Sequence, residues 1–118
     1  MIEKHCVSFD LSKKLKELGM PQTSEFYWKK YNGEFVLNNI YRENDEECYS
    51  AYLASELGEF LYKVDQKSLL AAYGEIFGVA GTQVTTLYGM TQILKDPNLP
   101  AKMLVYLLEN SLLKPEDL

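Results

Sequence analysis

The clearest pattern of apolar and polar positions runs through residues 96–113, DPNLPAKMLVYLLENSLL. We expect Asn98 to cap a helix there, with Pro100 in the first turn, where its missing N–H costs nothing. Asn110 is expected to end this helix in a left-handed turn. Spacings of three and four residues form one apolar stripe, which comprises Leu99, Met103, Leu104, Leu107 and Leu108. Burying one leucine stabilises a fold by roughly 2 kcal/mol. The stripe should therefore pack against another element, and we expect it to lie on a sheet.

Two shorter helices are indicated earlier in the chain. The first is expected to open at Ser8 or Asp10 and to stop at Gly19, which accepts the left-handed conformation that ends many helices. The second is expected to span residues 51–62 after a capping Ser50. Their inward positions are Leu11, Leu15 and Leu18 in the first helix, and Leu53, Leu57, Phe60 and Leu61 in the second.

A β-hairpin is predicted in SEFYWKKYNGEFVLNNIY. Asn32-Gly33 is a strong two-residue loop signal, because both central residues of a type I′ turn need positive φ. The implied register places Tyr31 opposite Glu34. One face then carries Phe26, Trp28, Phe35 and Leu37, and the other carries Tyr27, Lys29, Tyr31, Val36 and Asn38. We expect the first face to contact the core, because it carries the larger set of cross-strand apolar pairs.

Residues 67–88 support two interpretations. A helix with Asp65 as its cap and Gly78 as its stop fits an apolar stripe of Leu69, Leu70, Tyr73, Ile76 and Phe77. A strand over residues 67–78 followed by a second strand over residues 82–88 is the alternative, since the second stretch is rich in β-branched residues. Gly74 weakens the helix, and we therefore favour a second hairpin.

These elements predict one α+β domain spanning residues 1–118. The expected architecture is a four-stranded, mainly antiparallel sheet with three helices on one face, in the order α-ββ-α-ββ-α.

Composition narrows the classes of function. Of the 118 residues, 47% are hydrophobic and 25% charged, as in ordinary globular proteins. The formal net charge of −5 disfavours nucleic acid, which needs a positive footprint. No apolar run approaches the ~20 residues that span a bilayer, and the N-terminus lacks the apolar centre of a signal peptide. We therefore expect a cytoplasmic protein without a membrane partner, in which the isolated Cys6 and Cys48 are reduced.

Candidate catalytic residues are few. His5 is the single histidine, and its adjacency to Cys6 is not the geometry of a base and its nucleophile. A closed zinc shell needs three or four His or Cys ligands. Glu56 and Glu59 form an i,i+3 pair that is expected on an exposed helix face, and the acidic run over residues 43–47 has no EF-hand spacing. We therefore predict no catalytic residues, no metal site and no cofactor, and a protein that is not an enzyme.

Three stretches of the chain together form a recognisable signature: LSKKLKELGMPQTSEFYW, YSAYLASELGEFL and DPNLPAKMLVYLLEN. They resemble a broad group of small uncharacterised proteins of bacteriophages, prophages and their bacterial hosts. The pattern covers about half the chain, and residues 65–89 do not match it clearly. The resemblance implies a phage or mobile-element accessory protein, and it supplies no catalytic or binding residues.

Nine tyrosines are the unusual feature of the composition. Tyrosine gives a large contact area at low entropic cost and is enriched at protein interfaces. We therefore predict an interface on the non-core face of the first hairpin, formed by Tyr27, Lys29, Tyr31 and Val36. The hypothesis is a small binding protein that acts on another protein or on itself, for instance against a host defence or regulatory protein. The alternative is a small-molecule-binding module or small enzyme, with a pocket between sheet and helices.

Overall fold

A computed structural model of the protein describes residues 2–39, 47–77 and 96–118. They form an α+β fold, which confirms the predicted class, but with three strands and four α-helices in place of four strands and three helices. The elements are α1 (Phe9–Glu17), β1 (Tyr27–Tyr31), β2 (Glu34–Asn38), β3 (Cys48–Ser50), α2 (Ala54–Leu61), α3 (Gln66–Phe77) and α4 (Asn98–Glu109), with 3₁₀ turns at Ile2–His5 and Pro115–Asp117.

The sheet is antiparallel and its strand order is β2-β1-β3. Tyr31 pairs with Glu34 across the loop, so the predicted hairpin register is confirmed. Asn32 and Gly33 have φ of 52° and 84°, the positive values that a type I′ turn requires. The strand β3 was not predicted. Residues 48–50 pair with β1, although they were expected to lie outside the sheet.

The second helix begins later than predicted. Ser50 does not cap it, because Ser50 is the last residue of β3 and is fully buried. The helix α2 starts at Ala54, and the carboxylate of Glu56 accepts a hydrogen bond of 2.8 Å from the backbone N–H of Leu53. A carboxylate placed here satisfies a donor that the helix itself cannot pair.

Residues 66–77 form a helix, so the favoured strand over residues 67–78 is wrong. The Asp65 carboxylate accepts bonds from the Ser68 backbone N–H at 2.9 Å and from the Ser68 hydroxyl at 2.8 Å, as an N-terminal cap should. The backbone bond, followed by the hydroxyl bond, holds the pKa of Asp65 below its usual value. Gly74 lowers the stability of a helix by up to about 1 kcal/mol. The helix α3 forms nevertheless, and it buries Ala72 completely in the core. The predicted strand over residues 82–88 lies outside the described residues.

The main core lies between helices. The α4 stripe packs against α1, α2 and α3 and leaves Met103, Leu104 and Leu107 fully buried, so the expectation that it lies on the sheet is wrong. Each of the partner helices brings an apolar side of its own, with Leu15 from α1 and Leu57 from α2 also fully buried. Helices with complementary stripes bury each other, and the sheet is left to one side.

The start of α4 holds two segments together. Asn98 is its first residue rather than its cap, and the Asn98 Oδ1 accepts a bond of 2.9 Å from the backbone N–H of Ser8. The Asp96 carboxylate accepts from the Asn98 N–H at 3.0 Å. Ser8 in turn caps α1 through its hydroxyl, which accepts from the Leu11 N–H at 3.5 Å. The predicted capping residue therefore pins the start of α1 to the start of α4.

Two helix ends use left-handed residues. Gly19 follows α1 with φ of 93°, as predicted. At the end of α4, however, Ser111 and not Asn110 takes the left-handed conformation, with φ of 56°. Asn110 instead turns its side-chain amide back to donate to the Tyr106 carbonyl at 2.8 Å. The Tyr106 carbonyl also accepts from the Asn110 backbone N–H at 3.1 Å, so Asn110 binds the last helical turn through both its backbone and its side chain.

Candidate interaction surface

One face of the sheet is covered by α1 through an aromatic cluster. The ring of Phe9 stacks on Phe35 at 4.1 Å and meets the rings of Trp28 and Tyr49 edge-on at 6.5 and 5.6 Å. The Trp28 indole N–H also donates to the Val7 carbonyl at 2.9 Å. Edge-on and offset-stacked rings are favourable aromatic geometries. The face predicted to contact the core is therefore covered at Trp28 and Phe35, although both side chains are only half-buried and contact Phe9 of α1.

The opposite face of the sheet is covered at Tyr27, the first residue of β1. Tyr27 is only 7% exposed, although it belongs to the predicted interface. Its hydroxyl accepts from the Ser24 N–H at 3.3 Å and donates to the Gln22 carbonyl at 3.4 Å. The Gln22 side-chain oxygen in turn accepts from the Ser50 N–H at 2.8 Å. The segment that precedes β1 therefore folds over Tyr27, and this residue does not lie on an open surface.

The outer end of that face presents the rest of the predicted interface. Tyr31 is 70% exposed, Val36 is 43% exposed and Lys29 is half-buried. We call these three side chains the hairpin surface. Lys29 pairs directly with Val36 across the strands. Tyr31 and Val36 are diagonal cross-strand neighbours, which lie about 7–8 Å apart in an antiparallel pair. The hairpin surface thus brings two exposed apolar side chains together beside a cation.

Other exposed large apolar side chains of the described chain lie apart from the hairpin. Tyr62 is 80% exposed after the end of α2, and Leu112 is 43% exposed beyond α4. Each stands by itself in its own segment, and scattered single residues of this kind are normal on soluble proteins. Among the described residues, the hairpin surface is therefore the place where exposed apolar residues share one face of a regular element.

The residues considered for catalysis do not converge. His5 is exposed, whereas Cys6 and Cys48 are buried, at 3% and 1% exposure, and are not joined by a disulfide. In residues 2–39, 47–77 and 96–118, no three His, Cys, Asp or Glu side chains form a group that could hold a metal ion. In the acidic run over residues 43–47, residues 43–46 lie outside the described ranges and Glu47 lies within them.

The carboxylates of Glu56 and Glu59 in α2 have different surroundings. Glu56 was expected on an exposed face but is half-buried, and it joins two segments. One carboxylate oxygen accepts from the Leu53 N–H, and the other accepts from the Glu25 N–H at 3.1 Å. Glu59 is exposed. Glu56 therefore ties the segment before β1 to the start of α2, which helps to keep Tyr27 covered.

A shallow groove lies on the helical side of the molecule. It has a volume of about 240 Å³ and is lined by Leu11, Ile76, Lys102, Val105, Tyr106, Glu109 and Asn110 from α1, α3 and α4. Small-molecule pockets usually measure about 300–1,000 Å³ and enclose most of the ligand. The groove is smaller and open, and it lies between helices rather than between sheet and helices, where the alternative hypothesis requires a pocket.

Comparisons with known proteins add no assignment. No protein-family model matches the chain, and neither curated proteins nor solved structures give a significant match. Within the described ranges, no helix combines the length and apolar character needed to cross a membrane.

Proposed function

We propose that this protein acts by binding another protein chain through the hairpin surface, without catalysing a reaction. In this proposal the partner is either a different protein or a second copy. The resemblance to phage and prophage proteins supplies the setting, an accessory protein that acts in the bacterial cytoplasm. Interference with a host defence or regulatory protein is one version of that role.

The observation that carries the proposal is the exposure of Tyr31 and Val36 on one face of a well-held hairpin. Tyr31 keeps 70% of its surface in contact with solvent, although Tyr27 of the same strand is buried under the segment that precedes β1. Tyrosine is enriched at protein interfaces, and Tyr31 and Val36 together expose apolar surface on one face of the hairpin. The backbone beneath them is fixed by β1 pairing and by the cluster around Phe9, so binding would order few additional groups.

The test compares two variants of the full chain by affinity capture. Tyr31→Ser with Val36→Ser removes the apolar part of the hairpin surface, and Tyr62→Ser removes an equally exposed tyrosine elsewhere. A tyrosine that is a binding hot spot contributes at least about 2 kcal/mol, which exceeds a tenfold change in affinity. We expect wild type and Tyr62→Ser to retain the same protein from a bacterial lysate, and the double variant to lose it.

Two further measurements make the comparison decisive. Circular dichroism should show the same folded signal for all three proteins, because each altered side chain is exposed. Light scattering on each pure protein shows whether the retained chain is a second copy. Equal capture of the same partner by the double variant and the wild type would contradict the proposed function.

A further inference from the structure

We propose that the partner at the hairpin is a second copy of this chain, paired edge to edge through β2 with a two-fold axis at Val36. This inference deepens the proposed function and rests on it. It starts from the sheet order, in which β2 pairs with β1 on one side and with no described strand on the other. Natural edge strands are commonly protected by lysine, proline or a bulge, whereas β2 reads EFVLN and pairs with β1 residue by residue, without a bulge.

The direction of each backbone group in β2 follows from the pairs of β1. The Ala51 N–H donates to the Phe26 carbonyl at 2.9 Å, so the even-numbered residues of β1 direct their backbone groups toward β3. The odd-numbered residues then face β2, because backbone groups alternate along an antiparallel strand. Val36 lies opposite Lys29 and therefore directs its N–H and C=O inward. Phe35 and Leu37 consequently direct theirs to the outer edge.

Only one two-fold register pairs all five residues of both β2 strands. With the axis at Val36, the central residue of the strand, Phe35 lies opposite Leu37 of the second copy, and the reverse. Both residues direct their backbone groups outward, so each such pair forms two hydrogen bonds and the dimer forms four. An axis at Phe35 or at Leu37 shifts the overlap past one end of β2.

The side chains of β2 match this register. Its sequence is polar at both ends and apolar in the middle, so its character is the same in both directions, as a two-fold interface requires. Phe35 would contact Leu37 of the second copy on the face that Phe9 covers, and Val36 would contact its own copy on the hairpin surface. Glu34 would lie opposite Asn38 of the second copy, so no like charges oppose each other. This self-complementarity favours a second copy over an unrelated strand.

The dimer is expected to be weak. Two five-residue strands bury less than the roughly 1,200 Å² of a standard interface. Its dissociation constant is therefore expected to lie in the micromolar range, about that of transient complexes.

Site-directed disulfides test the register. Residues opposite each other in a non-hydrogen-bonded pair have Cα atoms about 4.5 Å apart, which lies within the range that a disulfide bridges. We compare Val36→Cys with Tyr31→Cys under mild oxidation, with wild type as the background for Cys6 and Cys48. Since Tyr31 is the more exposed position, random collision favours Tyr31→Cys. The proposed register places residue 36 opposite itself, and it separates the two copies of residue 31 by three strand spacings across the sheet and four residues along it, roughly 20 Å in all.

We expect Val36→Cys to form a covalent dimer at least tenfold faster than Tyr31→Cys. Equal rates, or faster dimerisation of Tyr31→Cys, would overturn the proposal. Val36→Lys and Val36→Glu provide a second test that does not depend on oxidation. Each should be monomeric by sedimentation, and an equimolar mixture should restore the dimer, because opposite charges then face each other at the axis.

A wild type that stays monomeric at about 1 mM, far above a micromolar dissociation constant, would also overturn the pairing. That result would leave the proposed function intact if lysate capture still depended on Tyr31 and Val36. Loss of both the dimer and the capture would contradict the proposed function as well as the proposed dimer.

Discussion

Truncation of Leu107 tests whether α4 is docked in a helical core. Its side chain is fully buried and belongs to the cluster that joins the four helices of the described residues. Leu107→Ala removes apolar contacts and leaves a cavity, and such substitutions cost about 2–5 kcal/mol. A domain of this size has roughly 5–15 kcal/mol of stability, so the loss is a large fraction of it. The midpoint of thermal unfolding should fall by on the order of 10 °C.

The assay is urea denaturation followed by circular dichroism. The transition midpoint should fall while its denaturant dependence stays the same, which marks a change in stability rather than in compactness. Leu112→Ala is the matched control, because Leu112 lies just beyond α4 and is 43% exposed. It should change the free energy of unfolding by less than about 0.5 kcal/mol. A similarly small effect for Leu107→Ala would refute the helical core described here.

Three other predictions concern backbone, pH and the hairpin. Gly19→Ala should destabilise more than Gly33→Ala in urea denaturation: both positions have positive φ, which costs an alanine about 1–2 kcal/mol, but a Cβ at position 19 would also lie 2.9 Å from a Pro115 side-chain carbon. Burial raises the pKa of Tyr52 above its usual value, so wild-type stability should fall as pH rises past about 10, where the unfolded chain ionises first. Tyr52→Phe should reduce that slope in a pH series of denaturation curves. Tyr27→Ala should cost about 3 kcal/mol or more, whereas Tyr31→Ala should cost less than about 0.5 kcal/mol.

Local signals in the sequence predicted the hairpin correctly. Asn32-Gly33 fixes a two-residue loop because few other pairs accept two positive φ values, and the pairing of β1 with β2 follows from it. The apolar stripe of α4 was also sufficient to predict a buried helix. Both signals lie within a short stretch of chain, so no distant contact was needed to interpret them.

The contacts between distant segments were not predictable from such patterns. Residues 67–77 fit two periodicities, and what favours the helix is the Asp65 cap together with burial of Ala72 against other helices. The strand β3 has three residues, too few for an alternating pattern to be recognised. It forms because its backbone pairs with β1, which lies far from it in the sequence.

The candidate surface was predicted in part. The register placed Tyr27, Tyr31 and Val36 on one face correctly. Tyr27 is nevertheless covered, because Gln22 and Ser24 come back over the sheet and bind its hydroxyl. That coverage depends on a stretch without a strand or helix pattern, and the Glu56 carboxylate that secures it lies 31 residues further along the chain.

Hydrogen exchange, measured by mass spectrometry, tests most directly whether the hairpin surface contacts another chain. Wild-type protein would be compared when dilute, when concentrated and when bound to its captured partner. We predict that peptides covering residues 27–38 gain protection on association, while peptides covering α4 stay unchanged apart from effects of global stabilisation. Protection confined to residues 98–109, beside the helical groove, with residues 27–38 unchanged, would contradict the account.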